Sequence, residues 1–475
     1  MSRLPLVEGL LKYVEENNVP FSMPGHKGGR GLSYTKEGMK FLNNIVSCDI
    51  TEVDGLDNLH NPNGIIKESL ELLSNFYGSE KSYFLINGST SGNLAMIFSN
   101  FNEGDKIIVE RNCHRSIYNG IIMRKLKPVY IKNRMNYKFD APFSIDKEHF
   151  SRIIQENSDA KGIIITYPNY YGICCDLSYI VNEAKKYNMK VLVDSAHGAH
   201  FKANKKLPKD ALELGCDMVV ESSHKTIPSF TQTAFLHVNH GIDTEKVDFY
   251  ISSFLSTSPS YMLMASMDYG RFFLETYGEE SYDKLLELCD EYRTKINELE
   301  NFHVISKEDL YSDIDLDKTR YIINIKSGYS GHKLLEYLRE KKIQCELSDA
   351  RNVVAIFSPF NDKNDFEALY KALKECNIDK LREERVEALE VEIPKLKLLP
   401  YEVIEKKKVK VDINSSLNKI CGVSIVPYPP GIPLVMPGEI INKDVIEYIN
   451  YYVKNNVTIL GAEENKISVL EEWTF

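Results

Sequence analysis

The group in this sequence with the most specific chemistry is a lysine placed just past an apolar run. SHKT (Ser223–Thr226) follows DMVVE (217–221) after a single serine. A lysine at the C-terminal end of a core strand sits where open α/β sheets bind ligands, and partial desolvation there lowers its pKa and makes the amine nucleophilic. Taken alone, Lys225 reads as an ordinary surface lysine, and only its combination with other signals sets it apart. About thirty residues earlier, KVLVD runs into DSAHGAH, so Asp194 falls at the same edge of the same expected sheet. A lysine that forms a Schiff base and an aspartate that pairs with a pyridinium nitrogen are two of the protein groups that pyridoxal 5'-phosphate needs.

The third is an anion site rich in Gly, Ser and Thr. NGSTSGN (Asn87–Asn93) follows the apolar YFLI and opens a helix expected to begin near Gly92. Hydroxyls and unpaired backbone N–H groups then converge at a helix N-terminus, which favours a phosphate. No Gly-Lys-Ser/Thr closes the loop, so it is not a Walker motif; by itself it is a polar turn with a helix cap. His114, in RNCHRS, lies just past the strand KIIVE, where an imidazole can stack on a planar cofactor. His197, in DSAHGAH, is expected near Asp194. His197 and His200 form an i, i+3 pair with no further ligand run, so no metal site is expected.

These residues need a framework to hold them. The chain has 475 residues, 43% of them hydrophobic, enough for about three domains and a large core. Lys plus Arg number 58 and Asp plus Glu 68, a net charge of −10, which disfavours a nucleic-acid partner held by bulk charge. The first residues lack a signal-peptide pattern and no apolar run approaches the ~18 residues of a membrane span, so a cytoplasmic protein with no membrane partner is expected. Nine cysteines are scattered without a C-x-x-C pair, as in a reducing compartment.

Leu6, Val7, Leu10, Leu11 and Val14 recur at helical spacing, so the N-terminal segment reads as an amphipathic helix that docks on something apolar. PGHKGGRG (24–31) reads as a loop whose backbone approaches a ligand or another chain closely. From about 80 to 245, short apolar runs (106–110, 162–167, 190–194, 217–221, 234–238) alternate with helix-like segments. Runs apolar at every position suit a mostly parallel sheet covered on both faces. A long helix around Glu279–Asn301 leads to a second alternating set: Tyr321–Lys326, a helix near His332–Lys341, Asn352–Phe357 and a helix near Phe366–Cys376. The stretch 379–394 is densely charged and reads as a solvated helix or linker. The tail from about 395 carries PYPPGIPLVMPGE (427–439), then a helix and two short strands.

In chain order PGHKGG, DITEVDGLDNLHNP, NGSTSGN, RNCHRS, DSAHGAHF, SSHKT, STSPSY and PYPPGIPLVMPGE resemble the pyridoxal-phosphate-dependent ornithine/lysine/arginine decarboxylases over essentially the whole chain. The likeness is closer to the short Gram-positive-type form, which is mostly arginine decarboxylase. The resemblance implies an α/β fold of the pyridoxal-phosphate fold type I, with a mostly parallel large-domain sheet, a small α/β domain and a C-terminal α+β decarboxylase domain. The corresponding segments are 1–80 (N-terminal helix and Gly-rich segment), 81–250 (cofactor domain), 251–385 (long helix and small domain) and 386–475. It also implies a homodimer or higher homo-oligomer with active sites at the subunit interface.

Carried over position by position, Lys225 holds the cofactor covalently, Asp194 pairs with its ring nitrogen and His114 stacks on the ring. Ser89, Thr90 and Ser222 hold the phosphate, and Thr257 reaches the phosphate of the neighbouring subunit. His197 stands where the large inducible enzymes carry an aromatic residue, and their long N-terminal wing domain has no counterpart here. The implied reaction is α-decarboxylation of a basic amino acid, arginine to agmatine for polyamine synthesis, with lysine or ornithine as alternative substrates. Lys225 and His224 both qualify as the proton donor to Cα.

The distal cation of such a substrate needs a carboxylate or an aromatic face. Glu439 is the first candidate, stiffened by the Pro-rich segment before it; Asp54 and Asp57 are the others. The same Lys/Asp/phosphate set also serves aminotransferases and lyases. An aminotransferase needs an arginine for the α-carboxylate, and Arg351 is the candidate. A non-catalytic regulatory relative is a further alternative, although it would be expected to lose Lys225 or Asp194.

Overall fold

The computed structural model describes residues 3–383, 392–428, 433–454 and 457–471. Residues 384–391 of the charged stretch and 429–432 of the Pro-rich segment therefore lie outside the described residues.

The all-apolar runs become strands of one seven-stranded sheet. Its order is Lys81–Leu85, Ala234–Val238, Met218–Glu221, Lys190–Asp194, Gly162–Thr166, Lys106–Glu110, Lys127–Ile131. Neighbouring strands from Met218–Glu221 to Lys127–Ile131 pair in parallel. Ala234–Val238 is antiparallel to both of its neighbours. Ile163, Ile164 and Ile165 are fully buried although successive side chains face opposite sides, because both faces are covered. Burying each contributes roughly 1.5–3 kcal/mol. Asp194 is in register with Thr166 on one side and Val220 on the other, so three chain segments leave the sheet at one level.

The helix after Lys81–Leu85 runs Gly88–Asn100 and starts four residues before the expected Gly92. Gly92 is an interior close-approach residue: a Cβ there would lie 2.5 Å from Leu85 Cδ1 and 3.1 Å from Val220. The long helix is also longer than expected, running Tyr261–Asn297 with Ser260 capping its N-terminus.

A second sheet of four antiparallel strands is ordered Phe302–Val304, Arg320–Ile325, Asn352–Ile356, Leu347–Ser348, with the helices Gly331–Glu340 and Lys363–Lys374. One apolar cluster runs from Ile97 and Phe101 near the large sheet to Tyr321 and Phe366 beside the small one. Near the C-terminus, Lys408–Asp412, Lys466–Leu470 and Ala462–Glu463 form a three-stranded sheet, and the helix Lys443–Lys454 packs into a separate cluster with Ile425, Val435 and Val469.

The N-terminal helix, Pro5–Glu15, buries no residue; Leu6 is 75% and Val14 71% exposed, so among the described residues nothing covers its apolar face. The strand Val19–Phe21 then pairs with Ile343–Cys345 and delivers the Gly-rich loop to the SHKT turn. Gly25 N–H donates to the His224 carbonyl at 2.7 Å, and a Cβ on Gly25 would lie 2.6 Å from the Ile227 nitrogen. The close approach expected of this loop is thus to another part of the same chain. Among the described residues no helix is long and apolar enough to cross a membrane.

Candidate active site

Lys225 lies in the one-turn helix Ser223–Thr226 that caps the strand Met218–Glu221. Its ammonium is pushed down to about 8 because it is withdrawn from water, an effect that nearby Asp194 opposes. Asp194 closes its own strand and is 2% exposed. Its Oδ2 accepts from Asn93 Nδ2 at 2.8 Å and its Oδ1 from the Ala196 N–H at 3.1 Å.

His114 caps the helix Arg115–Met123 through Nδ1, which accepts from the Ser116 N–H. The Ser116 hydroxyl stands 2.7 Å from the same nitrogen and accepts from Asn93 Nδ2 at 2.8 Å. With Nδ1 an acceptor, neutral His114 carries its proton on Nε2. Asn93 therefore joins His114, through Ser116, to Asp194.

A cavity of about 400 Å³ collects these groups: Ser89, His114, Asp194, His197 and Lys225 line it, with Thr166, Asn169 and Tyr170 from the edge of the large sheet. Met23 from the N-terminal loop and Leu347 and Ser348 from the small sheet close it. Ser222 is fully buried, and among the described residues neither its hydroxyl nor that of Ser195 has a hydrogen-bond partner. Asn87 makes no side-chain cap on the helix that begins at Gly88, which leaves its first N–H groups to a ligand. Thr90 and Thr257 are exposed in the single chain. A lysine, a buried carboxylate, an imidazole and orphaned hydroxyls beside a helix N-terminus fit pyridoxal phosphate.

The expected substrate carboxylates are placed otherwise. Both oxygens of fully buried Glu439 are held by Arg111, at 2.6 and 2.8 Å, and the Met436 N–H adds a third bond at 2.7 Å. An acid already neutralised by a buried guanidinium is not available to a substrate cation. Asp57 accepts from the N–H groups of Asn58, Asn63, Gly64, Ile66 and Lys67 and heads the helix Ile65–Tyr77. Burial works against its charge, but these bonds outweigh it and hold the carboxyl at about 2. Asp54 is exposed and is not among the residues lining the cavity. Arg351, the candidate for an α-carboxylate, spends its guanidinium on Asn324 and the carbonyls of Lys138 and Ile325.

Glu346 carries no signal in the sequence, yet it backs the cavity. Its Oε1 accepts from the Tyr170 hydroxyl at 2.6 Å and its Oε2 from the Met23 N–H at 2.8 Å, both cavity residues. Its charge also acts on Lys225. His224 donates from Nδ1 to the Thr233 carbonyl at 2.7 Å, leaving Nε2 to exchange a proton. His197 and His200 are each engaged with protein groups, Lys225 and Arg320 for the first, Thr319 and Asp317 for the second. Among the described residues no group of three or more His, Cys, Asp or Glu side chains is placed to hold a metal.

Comparison with known proteins agrees with this arrangement. Residues 4–315 match the family model for the Orn/Lys/Arg decarboxylase major domain and residues 385–465 the model for its C-terminal domain. The chain is 33% identical to the arginine decarboxylase of Bacillus subtilis, over 98% of this chain and 97% of that protein. In fold it is similar to the crystal structure of the Francisella novicida lysine decarboxylase, with a TM-score of 0.78 at 21% identity over 94% of this chain and 78% of that one. It is also similar to the serine palmitoyltransferase of Sphingomonas wittichii, with a TM-score of 0.57 at 14% identity over 75% and 85%. With matched models over residues 4–315 and 385–465 and a relative aligned almost end to end, the chain belongs to the Orn/Lys/Arg decarboxylase family.

Proposed function

We propose that this chain is a pyridoxal-phosphate-dependent decarboxylase of a basic amino acid, with arginine as substrate and agmatine and carbon dioxide as products. The observation that carries the reading is Lys225, with its depressed amine, lining one cavity with Asp194 and His114 in a chain alignable end to end with an arginine decarboxylase. When bound, the cofactor supplies the electron sink that takes up the electrons of the Cα–carboxylate bond. Lys225 anchors it, and Asp194, oriented by Asn93, holds a proton on its ring nitrogen. The His114 ring would pack against its face. Ser89, Thr90 and Ser222 bind its phosphate beside the N-terminus of the helix Gly88–Asn100. Met23 and Leu347 keep water from the reacting bond. The proton returned to Cα comes from Lys225 Nζ or His224 Nε2.

For the distal cation we assign Glu346, which is not itself a lining residue but stands directly behind the lining residues Tyr170 and Met23, and whose two hydrogen bonds leave lone pairs on both oxygens. Measured side by side on arginine, lysine and ornithine, carbon dioxide release without keto acid supports the reading. Keto acid as the main product overturns it.

The same reading makes the enzyme a homo-oligomer, at least a dimer. It is supported by exposed apolar side chains on the N-terminal helix and at Val46 (83%) and Val53 (52%), near in sequence to the motif 49–62. Thr257 then serves the neighbouring subunit's phosphate. A cytoplasmic role in polyamine synthesis fits nine cysteines that are all free thiols.

A further inference from the structure

The imidazole of His197, 4% exposed, is held between two basic side chains. Arg320 Nη2 lies 2.7 Å from its Nδ1, and Lys225 Nζ lies 3.2 Å from its Nε2. A guanidinium only donates and stays charged in proteins, so Nδ1 must be an acceptor and His197 must be neutral with its proton on Nε2. That N–H points at Lys225. An ammonium there would set donor against donor, whereas a free amine offers the lone pair the contact needs. The three residues satisfy one another in a single protonation state.

The structure invests in holding Arg320. It is fully buried on the small-sheet strand Arg320–Ile325 and donates from Nη1 to the Tyr170 carbonyl at 2.8 Å. Its Nε is 3.5 Å from Oδ2 of fully buried Asp317, and Oδ2 also lies 3.2 Å from His200 Nε2. Gly172, at φ +82°, makes room for its stem: a Cβ there would stand 2.7 Å from Arg320 Cδ. The Tyr170 ring edge closes the other side of His197, with ring centroids 4.8 Å apart.

We propose that Arg320 is a positioning residue that fixes the Nε2–H tautomer of His197 and through it favours the free amine of Lys225, the form that captures the cofactor, over its ammonium. The other charged or titratable groups that act on this pair are Asp194, His114, His224 and Glu346, of which Asp194 and Glu346 favour the ammonium. Arg320 comes from the small sheet, so the reactivity of a lysine in one half of the molecule depends on a cation from the other. This rests on Lys225 being the cofactor lysine, but it is tested without cofactor and without turnover.

The full-length chain is freed of cofactor with hydroxylamine, and acetylation of Lys225 by acetic anhydride is followed by peptide mass spectrometry as a function of pH. Arg320→Met and His197→Phe should each raise the midpoint of Lys225 labelling by about one unit, about tenfold less free amine at neutral pH. His197→Gln, whose amide can accept from Arg320 and donate to Lys225, should restore it. If Arg320 acts only by through-space charge, His197→Phe leaves the midpoint unchanged, and that result overturns the proposal even if Arg320→Met does not fold. A Lys225 that labels normally in a protein with no decarboxylase activity would count against the proposed function and not against this relay.

Discussion

Asn93 Nδ2 donates to Oδ2 of Asp194 at 2.8 Å and, from the same nitrogen, to the Ser116 hydroxyl that stands against His114. The carboxylate we propose for the cofactor ring and the imidazole we propose for its face are therefore oriented by one amide. Replacing Asn93 by Ala removes a hydrogen bond to a charged acceptor, worth about 1.5–3 kcal/mol. Pyridoxal phosphate should bind about ten- to a hundredfold more weakly, read from the visible absorbance during titration, and a wild-type affinity would refute the role.

Lys225→Ala should abolish turnover and leave no cofactor attached after borohydride reduction, with the melting temperature of the cofactor-free protein close to wild type. Cofactor fixed at another lysine with activity retained would remove Lys225 from its assigned place.

Glu439 and Glu346 separate structure from recognition. Glu439→Gln leaves Arg111 buried without a counter-charge, a loss of roughly 3–5 kcal/mol, so the melting temperature should drop sharply while the KM of the protein that remains folded is little changed. Glu346→Gln should do the opposite: nearly wild-type melting and a KM for arginine raised at least about tenfold, since a charged hydrogen bond to the substrate is lost. A reversed pattern would return Glu439 to the substrate site.

The pH dependence of cofactor capture follows from Lys225. Burial lowers its amine to about 8, so the nucleophilic form is scarce below that pH and complete above it. The second-order rate of pyridoxal phosphate capture by the cofactor-free protein should rise about tenfold per pH unit up to about 8 and then level off. A rise continuing past pH 10, as for an ordinary lysine, would contradict the buried geometry.

Local patterns carried much of this fold. Five buried strands were legible because a sheet covered on both faces leaves almost no polar position within the run, and the placement of Lys225 and Asp194 at one sheet edge was legible because the first follows such a strand by a few residues and the second ends one. Gly92 misled because a glycine marks either a helix boundary or a close approach, and only the position of Leu85 distinguishes them. Glu439 misled for a similar reason: an acid after a rigid Pro-rich run looks poised for a ligand, but its partner, Arg111, is 328 residues away in sequence. Arg320 and Glu346 left no trace, because what makes them matter is the placement of the small sheet against the edge of the large one. Nothing within a short window of either residue records that placement.

The Arg111–Glu439 pair also bears on how this enzyme can be taken apart. Arg111 directly follows a strand of the large sheet, and Glu439 belongs to the C-terminal body, which has its own apolar cluster and so resembles a detachable module. Cutting the chain between them would leave a buried charge on each fragment, so the two pieces should stay together after a nick and fare poorly when produced apart. A chimera that exchanges C-terminal bodies with a relative must keep the arginine and the glutamate as a matched set.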